Sequence, residues 1–171
     1  DEPAVYQALR AARAEGIKSV AIALMHSYLN PVHEKRVAQI AASEGFEQIS
    51  VSHEISPLMK LVGRADTTVI DAYLSPILKR YVSQISSEFE QNHQAKLFFM
   101  QSNGGLTDAN MFRGKDAILS GPAGGVVGMV KTAKIAGLDK LIGFDMGGTS
   151  TDVCHYNGQF ERSFETEVAG A

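Results

Sequence analysis

Apolar positions recur at helical spacing in residues 3–15. Val5, Leu9 and Ala12 share a face, Pro3 suits a first turn and Gly16 stops the run. Residues 19–26 (SVAIALMH) are almost continuously apolar, the pattern of a strand covered on both faces in a parallel sheet. Asn30-Pro31 then reads as an N-cap followed by proline. It opens a helix that runs to Ser43 or Glu44, before Gly45. Residues 49–53 read as a short strand. Helix, strand, helix, strand predicts an α/β fold with a parallel or mixed sheet.

Residues 64–92 repeat apolar side chains at helical spacing: Val69, Tyr73, Ile77, Tyr81, Ile85 and Phe89. This stripe is expected to be a packing face, and Pro76 is expected to kink the helix. Residues 96–100 form a strand, followed by a turn at Gln101-Ser102-Asn103-Gly104-Gly105. Thr107 or Asp108 caps a short helix, and residues 117–119 are extended. Ser120-Gly121-Pro122-Ala123-Gly124-Gly125 opens a helix of small residues that ends near Gly137. A strand from Leu141, a glycine-hydroxyl turn and a strand over 151–156 complete the pattern. Asn157-Gly158 is then expected to turn into a third strand over 159–167 as a C-terminal β-hairpin.

Composition narrows the function classes. Hydrophobic residues make up 44% of the 171 residues and charged residues 20%, which fits a globular protein. A net charge of −3 gives no electrostatic reason to expect nucleic acid or an anionic membrane as partner. The single cysteine, Cys154, excludes an internal disulfide and points to a reducing, cytoplasmic setting. No apolar run reaches the roughly 20 residues of a membrane span. The chain opens at Asp1 without methionine and reads as a piece of something longer.

The chemistry concentrates in residues 141–153, LIGFDMGGTSTDV. A strand delivers Asp145, and Gly147 and Gly148 let backbone N–H groups approach an anion closely, with no Cβ in the way. Thr149, Ser150 and Thr151 add hydroxyl donors. The Asp145 carboxylate can hold Mg²⁺ through water. The alternative is a purely structural glycine hairpin. The small-residue helix immediately upstream also has two readings: close helix packing, or an interdomain hinge whose N-terminus faces an anion. His26, His33, His53, His93 and His155 show no metal-ligand spacing. His53-Glu54 can face a cleft at a strand end, although a structural role is the simpler reading, and Cys154 reads as a small core residue.

A small-residue helix leading into such a hairpin resembles the order found in actin-like (ribonuclease H-like) ATPases. The segments SHEISPLMKLVGRADTTVIDAYLSPILKRYV, FFMQSNGGL, LSGPAGGVVG and GFDMGGTSTDV, in this order, resemble the hydantoinase A/5-oxoprolinase family, most closely its bacterial ATP-dependent 5-oxoprolinases. The resemblance implies residues 1–57 as the end of a first lobe and 58–171 as the start of the hydantoinase/oxoprolinase domain. It implies an ATP- and Mg²⁺-using hydrolase of small cyclic amides, 5-oxoproline or a hydantoin. The alternatives are a ketone carboxylase-type subunit and an actin-like regulatory ATPase. The implied partners are a hydantoinase B-like subunit or fused domain, or a second copy of the chain. Asp145 would act catalytically and with Asp152 hold the metal. Gly147, Gly148, Thr149, Ser150 and Thr151 would cradle phosphates, and residues 102–105 would line the substrate side. Family members also carry an earlier glycine-threonine phosphate loop and a later glycine-rich segment, and neither motif occurs here. The 171-residue chain alone is therefore expected to bind MgATP weakly and to turn over no lactam; calorimetry returning a micromolar dissociation constant contradicts this.

Overall fold

The computed structural model describes residues 1–92, 96–161 and 163, without the side chains of residues 90–92. It is α/β, and its contacts divide it into two compact units. One holds Asp1–Leu97 and Ala109–Lys115; the other holds Phe98–Asp108 and the described residues from Asp116 onward.

The first unit begins with α1 (Glu2–Ala14), capped by Asp1 and ended at Gly16, whose φ of +85° suits glycine. Strand β1 (Ser19–Ile22) pairs in parallel with β2 (Gln48–Val51), Val20 opposite Ile49. Helix α2 (Val32–Ser43) crosses between them. Leu9, Ile40, Ala41 and Phe46 form a buried apolar cluster, backed by Val5, Tyr6, Val20 and Ile49. The predicted strand over 19–26 stops at Ile22 because the backbone is needed elsewhere. The Leu24 amide donates to Glu34, and His26 takes a φ of +62°, rare for a non-glycine residue. Likewise Ser52 and His53 leave the strand for a helical turn, α3 (Ser52–Ile55).

Helix α4 (Leu61–Asn92) continues as one element through Pro76. Its apolar stripe does not pack as expected. Tyr73 is 72% exposed, and Val69, Ile77, Tyr81 and Phe89 are also exposed. The buried side is instead Arg64, Thr68, Asp71, Ala72, Ser75 and Val82. The reason is the facing strand, which presents Gln48 and Ser50. Ser50 Oγ donates to Asp71 Oδ2 at 2.7 Å, and Lys79 Nζ donates to Gln48 Oε1 at 2.9 Å. A polar sheet face selects a polar helix face, because each buried polar group needs a partner.

In the second unit β3 (Phe98–Met100) pairs antiparallel with β4 (Leu106–Asp108) across the expected turn. A 3₁₀ turn (Ala109–Met111) follows in the first unit, where the sequence predicts a capped helix. The short helix α5 (Gly114–Ala117) takes Ala117 out of the extended stretch predicted over 117–119. Helix α6 (Ser120–Ile135) then packs on an antiparallel ribbon of β5 (Lys140–Met146) and β6 (Thr151–Asn157). The three strand pairs are separate two-stranded sheets among the described residues. Gly158, at φ +83°, ends β6, but Gln159, Phe160 and Glu161 are not a strand. Most of the predicted third strand lies outside the described residues.

The contact of α6 with the ribbon depends on Gly143. A β-carbon there would lie 2.5 Å from both Cys154 Sγ and Met129 Sδ. Gly143→Ala is expected to destabilise the protein by roughly 1–3 kcal/mol through overpacking. A thermal-melt comparison in which the variant matches or exceeds the parent contradicts this.

Candidate functional site

The predicted phosphate loop is the tip of the β5–β6 ribbon. Asp145 pairs directly with Asp152, and Met146 with Thr151. Residues 147–150 form the loop, closed by one bond from the Gly147 N–H to the Ser150 carbonyl at 2.9 Å. Among the described residues, no protein acceptor takes the amide hydrogens of Gly148, Thr149 or Ser150. The whole tip is exposed, Asp145 and Asp152 included. The loop therefore has the open donors that an anion requires, and it is not packed shut.

Strand alternation sorts the tip into two faces. Leu141, Gly143 and Asp145 share one face with Tyr156, Cys154 and Asp152, the face that packs on α6. Cys154 Sγ lies 4.0 Å from Met129 Sδ, and the Lys134 ammonium sits 5.5 Å over the Tyr156 ring. Further along, a β-carbon built on Gly125 would lie 4.0 Å from Asp145 Oδ2. The early turns of α6 thus run beside Asp145. That helix runs from Ser120 with Leu119 as N-cap, which offers no side-chain cap, and it is Gly125 in its second turn that lies beside Asp145. Thr151 alternates to the opposite face and is not gathered with the two aspartates.

Two carboxylates directly opposite each other repel unless a cation or a proton intervenes. Mg²⁺ is commonly held by one or two carboxylates together with phosphate oxygens and water. Asp145 and Asp152, exposed on one face beside free amides, fit a phosphate-bound Mg²⁺. They do not make an all-protein cage, since no group of three or more metal-binding side chains occurs among the described residues. Ser102, expected on the substrate side, is used internally. Its hydroxyl accepts from the Leu119 amide at 3.1 Å and donates to the Asp116 carbonyl at 2.7 Å, turning the chain into α6.

The first unit holds a polar centre that residue spacing does not reveal. Glu34, fully buried in the first turn of α2, accepts four hydrogen bonds. They come from the Leu24 amide (2.8 Å), Ser52 Oγ (2.6 Å), the His53 amide (3.0 Å) and His53 Nδ1 (2.7 Å). Burial pushes the Glu34 pKa up, but the bonds from Ser52, His53 and Leu24 outweigh it and hold it at about 2. The ionised carboxylate fixes the proton on Nδ1 of His53. His53 Nε2 is buried without a hydrogen-bond partner among the described residues, and Glu54 Oε1 lies 3.8 Å from it. Arg64, buried on α4, donates to Ser52 Oγ at 2.8 Å and to the carbonyls of Leu24 (2.7 Å) and Leu58 (2.6 Å). The only sequence signal was a Ser-His-Glu run at a strand end. A glutamate in the first turn of a helix ordinarily reads as a surface residue.

Because the folded pKa of Glu34 lies below the ordinary 4.5, its stabilisation is present above pH 4.5 and is lost as pH falls toward 2. The shift corresponds to roughly 3 kcal/mol. Glu34→Gln is expected to destabilise the protein at pH 7 and to be less harmful at pH 3. Urea unfolding at the two pH values measures this, and an equal penalty at both contradicts it.

Comparison with known proteins places these features in a family. A family model described as Hydantoinase/oxoprolinase matches residues 64–171, and one described as Hydantoinase/oxoprolinase N-terminal region matches residues 1–45. The 5-oxoprolinase of Saccharomyces cerevisiae is 48% identical over 176 residues, covering 99% of this chain and 13% of the yeast protein. Caprolactamase subunit alpha of Pseudomonas jessenii is 37% identical, covering 90% of this chain and 23% of the subunit. The nucleotide-free structure of acetone carboxylase, solved in a study of ATP-dependent acetone carboxylation, superposes with a TM-score of 0.83 at 28% identity. That superposition covers 92% of this chain and 23% of the carboxylase chain. The chain thus spans only about an eighth of the yeast relative's length. No helix among the described residues is long and apolar enough to cross a membrane.

Proposed function

The chain belongs to the hydantoinase/oxoprolinase family, and from that membership we propose that it supplies the phosphate-binding hairpin of an ATP-dependent hydrolase that opens cyclic amides, 5-oxoproline first among them. The observation that carries this reading is the open tip of the β5–β6 ribbon. Three unclaimed amides stand beside two facing carboxylates.

A lactam is a poor electrophile because attack must break amide resonance. Transfer of the γ-phosphoryl group of ATP to the amide oxygen, with loss of ADP, gives an imidate-like ester that water attacks. The C–N bond then opens to leave an acyl phosphate, and a second water hydrolyses it to release phosphate and the free acid. In this scheme the amides of Gly148, Thr149 and Ser150, with Gly147 shaping the loop, offset the charge on the phosphates. Asp145 and Asp152 would hold Mg²⁺, which would offset phosphate charge, and Asp145, beside Gly125 of α6, would orient the γ-phosphate end. Thr151, on the opposite face, supports the turn through its backbone.

A ketone carboxylase-type role is the second reading, favoured by the acetone carboxylase likeness. The closer sequence agreement with a 5-oxoprolinase, 48% against 28%, puts cyclic-amide hydrolysis first. The name of the Pseudomonas relative, a subunit alpha, supports a partner subunit or fused domain in the whole protein. The single cysteine and the nucleotide requirement support a cytoplasmic setting.

In the full-length protein, Asp145→Asn is expected to lower 5-oxoproline-dependent phosphate release by about 10²-fold or more while leaving the melting temperature within a few degrees. Phosphate release at parental rate by the folded variant contradicts the assignment. Release stimulated by a ketone and not by any lactam moves the protein to the second reading.

A further inference from the structure

A second site is visible in the first unit. A cavity of ≈ 480 Å³ opens between β2, α4 and the segment after the 3₁₀ turn. This volume lies within the range of small-molecule sites. Val51, Ile55, Val82 and Phe112 give it apolar walls. Two cations, Lys79 and Arg113, stand at the same cavity.

Neither cation is neutralised there. Lys79 Nζ donates to the neutral Gln48 side chain at 2.9 Å, which leaves two ammonium donors. Arg113 has no hydrogen bond or ion pair among the described residues. The lining acid Asp71 is taken up by three other donors. Ser50 Oγ (2.7 Å) binds one oxygen, and Ser75 Oγ (3.2 Å) and the Lys115 amide (3.2 Å) bind the other. Arg113 is nevertheless held in place. The next residue, Gly114, donates its amide to Ser75 Oγ at 3.0 Å, and its own β-carbon would lie 2.8 Å from the Ser75 backbone nitrogen. The backbone around Arg113 is therefore pressed against α4 in a way only glycine allows.

We propose that this cavity binds a small organic monocarboxylate, its apolar body against Val82 and Phe112 and its carboxylate on Arg113 and Lys79. A planar guanidinium with free N–H groups matches a carboxylate in a bidentate pair, and the neighbouring ammonium adds a second charge-assisted bond. The half-exposed carboxylate of Glu54, on the same lining, disfavours a second acidic group and so selects mono- over dicarboxylates. The proposal stands independently of the hydrolytic reading, because it uses no residue of the ribbon.

The test is calorimetry on the full-length protein at low salt with two probes of the same shape, cyclopentanecarboxylate and the neutral cyclopentanecarboxamide. The expected result is saturable binding of the acid, at least about tenfold tighter than the amide. Arg113→Gln and Lys79→Gln are each expected to weaken the acid at least about fivefold and to leave the amide unchanged. No saturable binding of the acid, equal binding of both probes, or undiminished binding in Arg113→Gln overturns the proposal. Should Lys79→Gln lose stability with its Gln48 bond, Arg113→Gln, exposed and unpaired, still decides it. Lactam turnover is measured on the same preparations, so failure here and failure of the hydrolase reading are told apart.

Discussion

The second unit turns on the close approach of α6 to the β5–β6 ribbon at Gly143, where there is no room for a β-carbon. That approach fixes which ribbon face meets the helix. Because strand side chains alternate, it also fixes where Asp145 emerges, two residues further on the same face. The same register sets Asp152 opposite Asp145 and leaves the tip, residues 147–150, beyond the last paired residues. A packing constraint in the middle of the ribbon therefore determines the electrostatics of its end: two carboxylates and three open amides.

The first unit solves a different problem. Its apolar core lies on one side of β1 and β2, against α1 and α2. Toward α4 it buries a polar layer of Ser50, Asp71 and Ser75, and at the strand ends Glu34 of α2 joins Ser52, His53 and Arg64. Such a layer is stable only when satisfied as a whole. Glu34 illustrates the balance: desolvation raises its pKa, and four donors more than compensate. The exception is His53 Nε2, which remains without a partner among the described residues.

Sequence reading succeeded where local chemistry decides. Gly16, Gly45 and Gly137 sit at φ values of +85°, +82° and +78°, and each closes a helix whose end was placed from glycine alone. The Leu141 strand, the glycine-hydroxyl tip and the Thr151 strand also lie where the sequence puts them. It failed where tertiary partners decide. The apolar stripe of α4 suggests its buried face, yet the polar face is buried because Gln48 and Ser50 wait opposite it. The apolar run after Ser19 suggests a longer strand, yet Glu34 claims the Leu24 amide. Most of the hairpin strand that Asn157-Gly158 signals lies outside the described residues. For the candidate site, the residue types were legible. The separation of Thr151 from the aspartates depends on strand register, and the roles of Glu34 and Arg64 depend on partners far away in sequence.

The central claim is that the tip at residues 147–150 holds the phosphate tail of a nucleotide. The most direct measurement is a crystal structure of the full-length protein with MgADP and aluminium fluoride as the γ-phosphate mimic. The account predicts fluoride or phosphate atoms within ~3.2 Å of the amide nitrogens of Gly148, Thr149 or Ser150, with the metal's shell reaching Asp145. A nucleotide seated elsewhere, with this loop still bare to solvent, contradicts it.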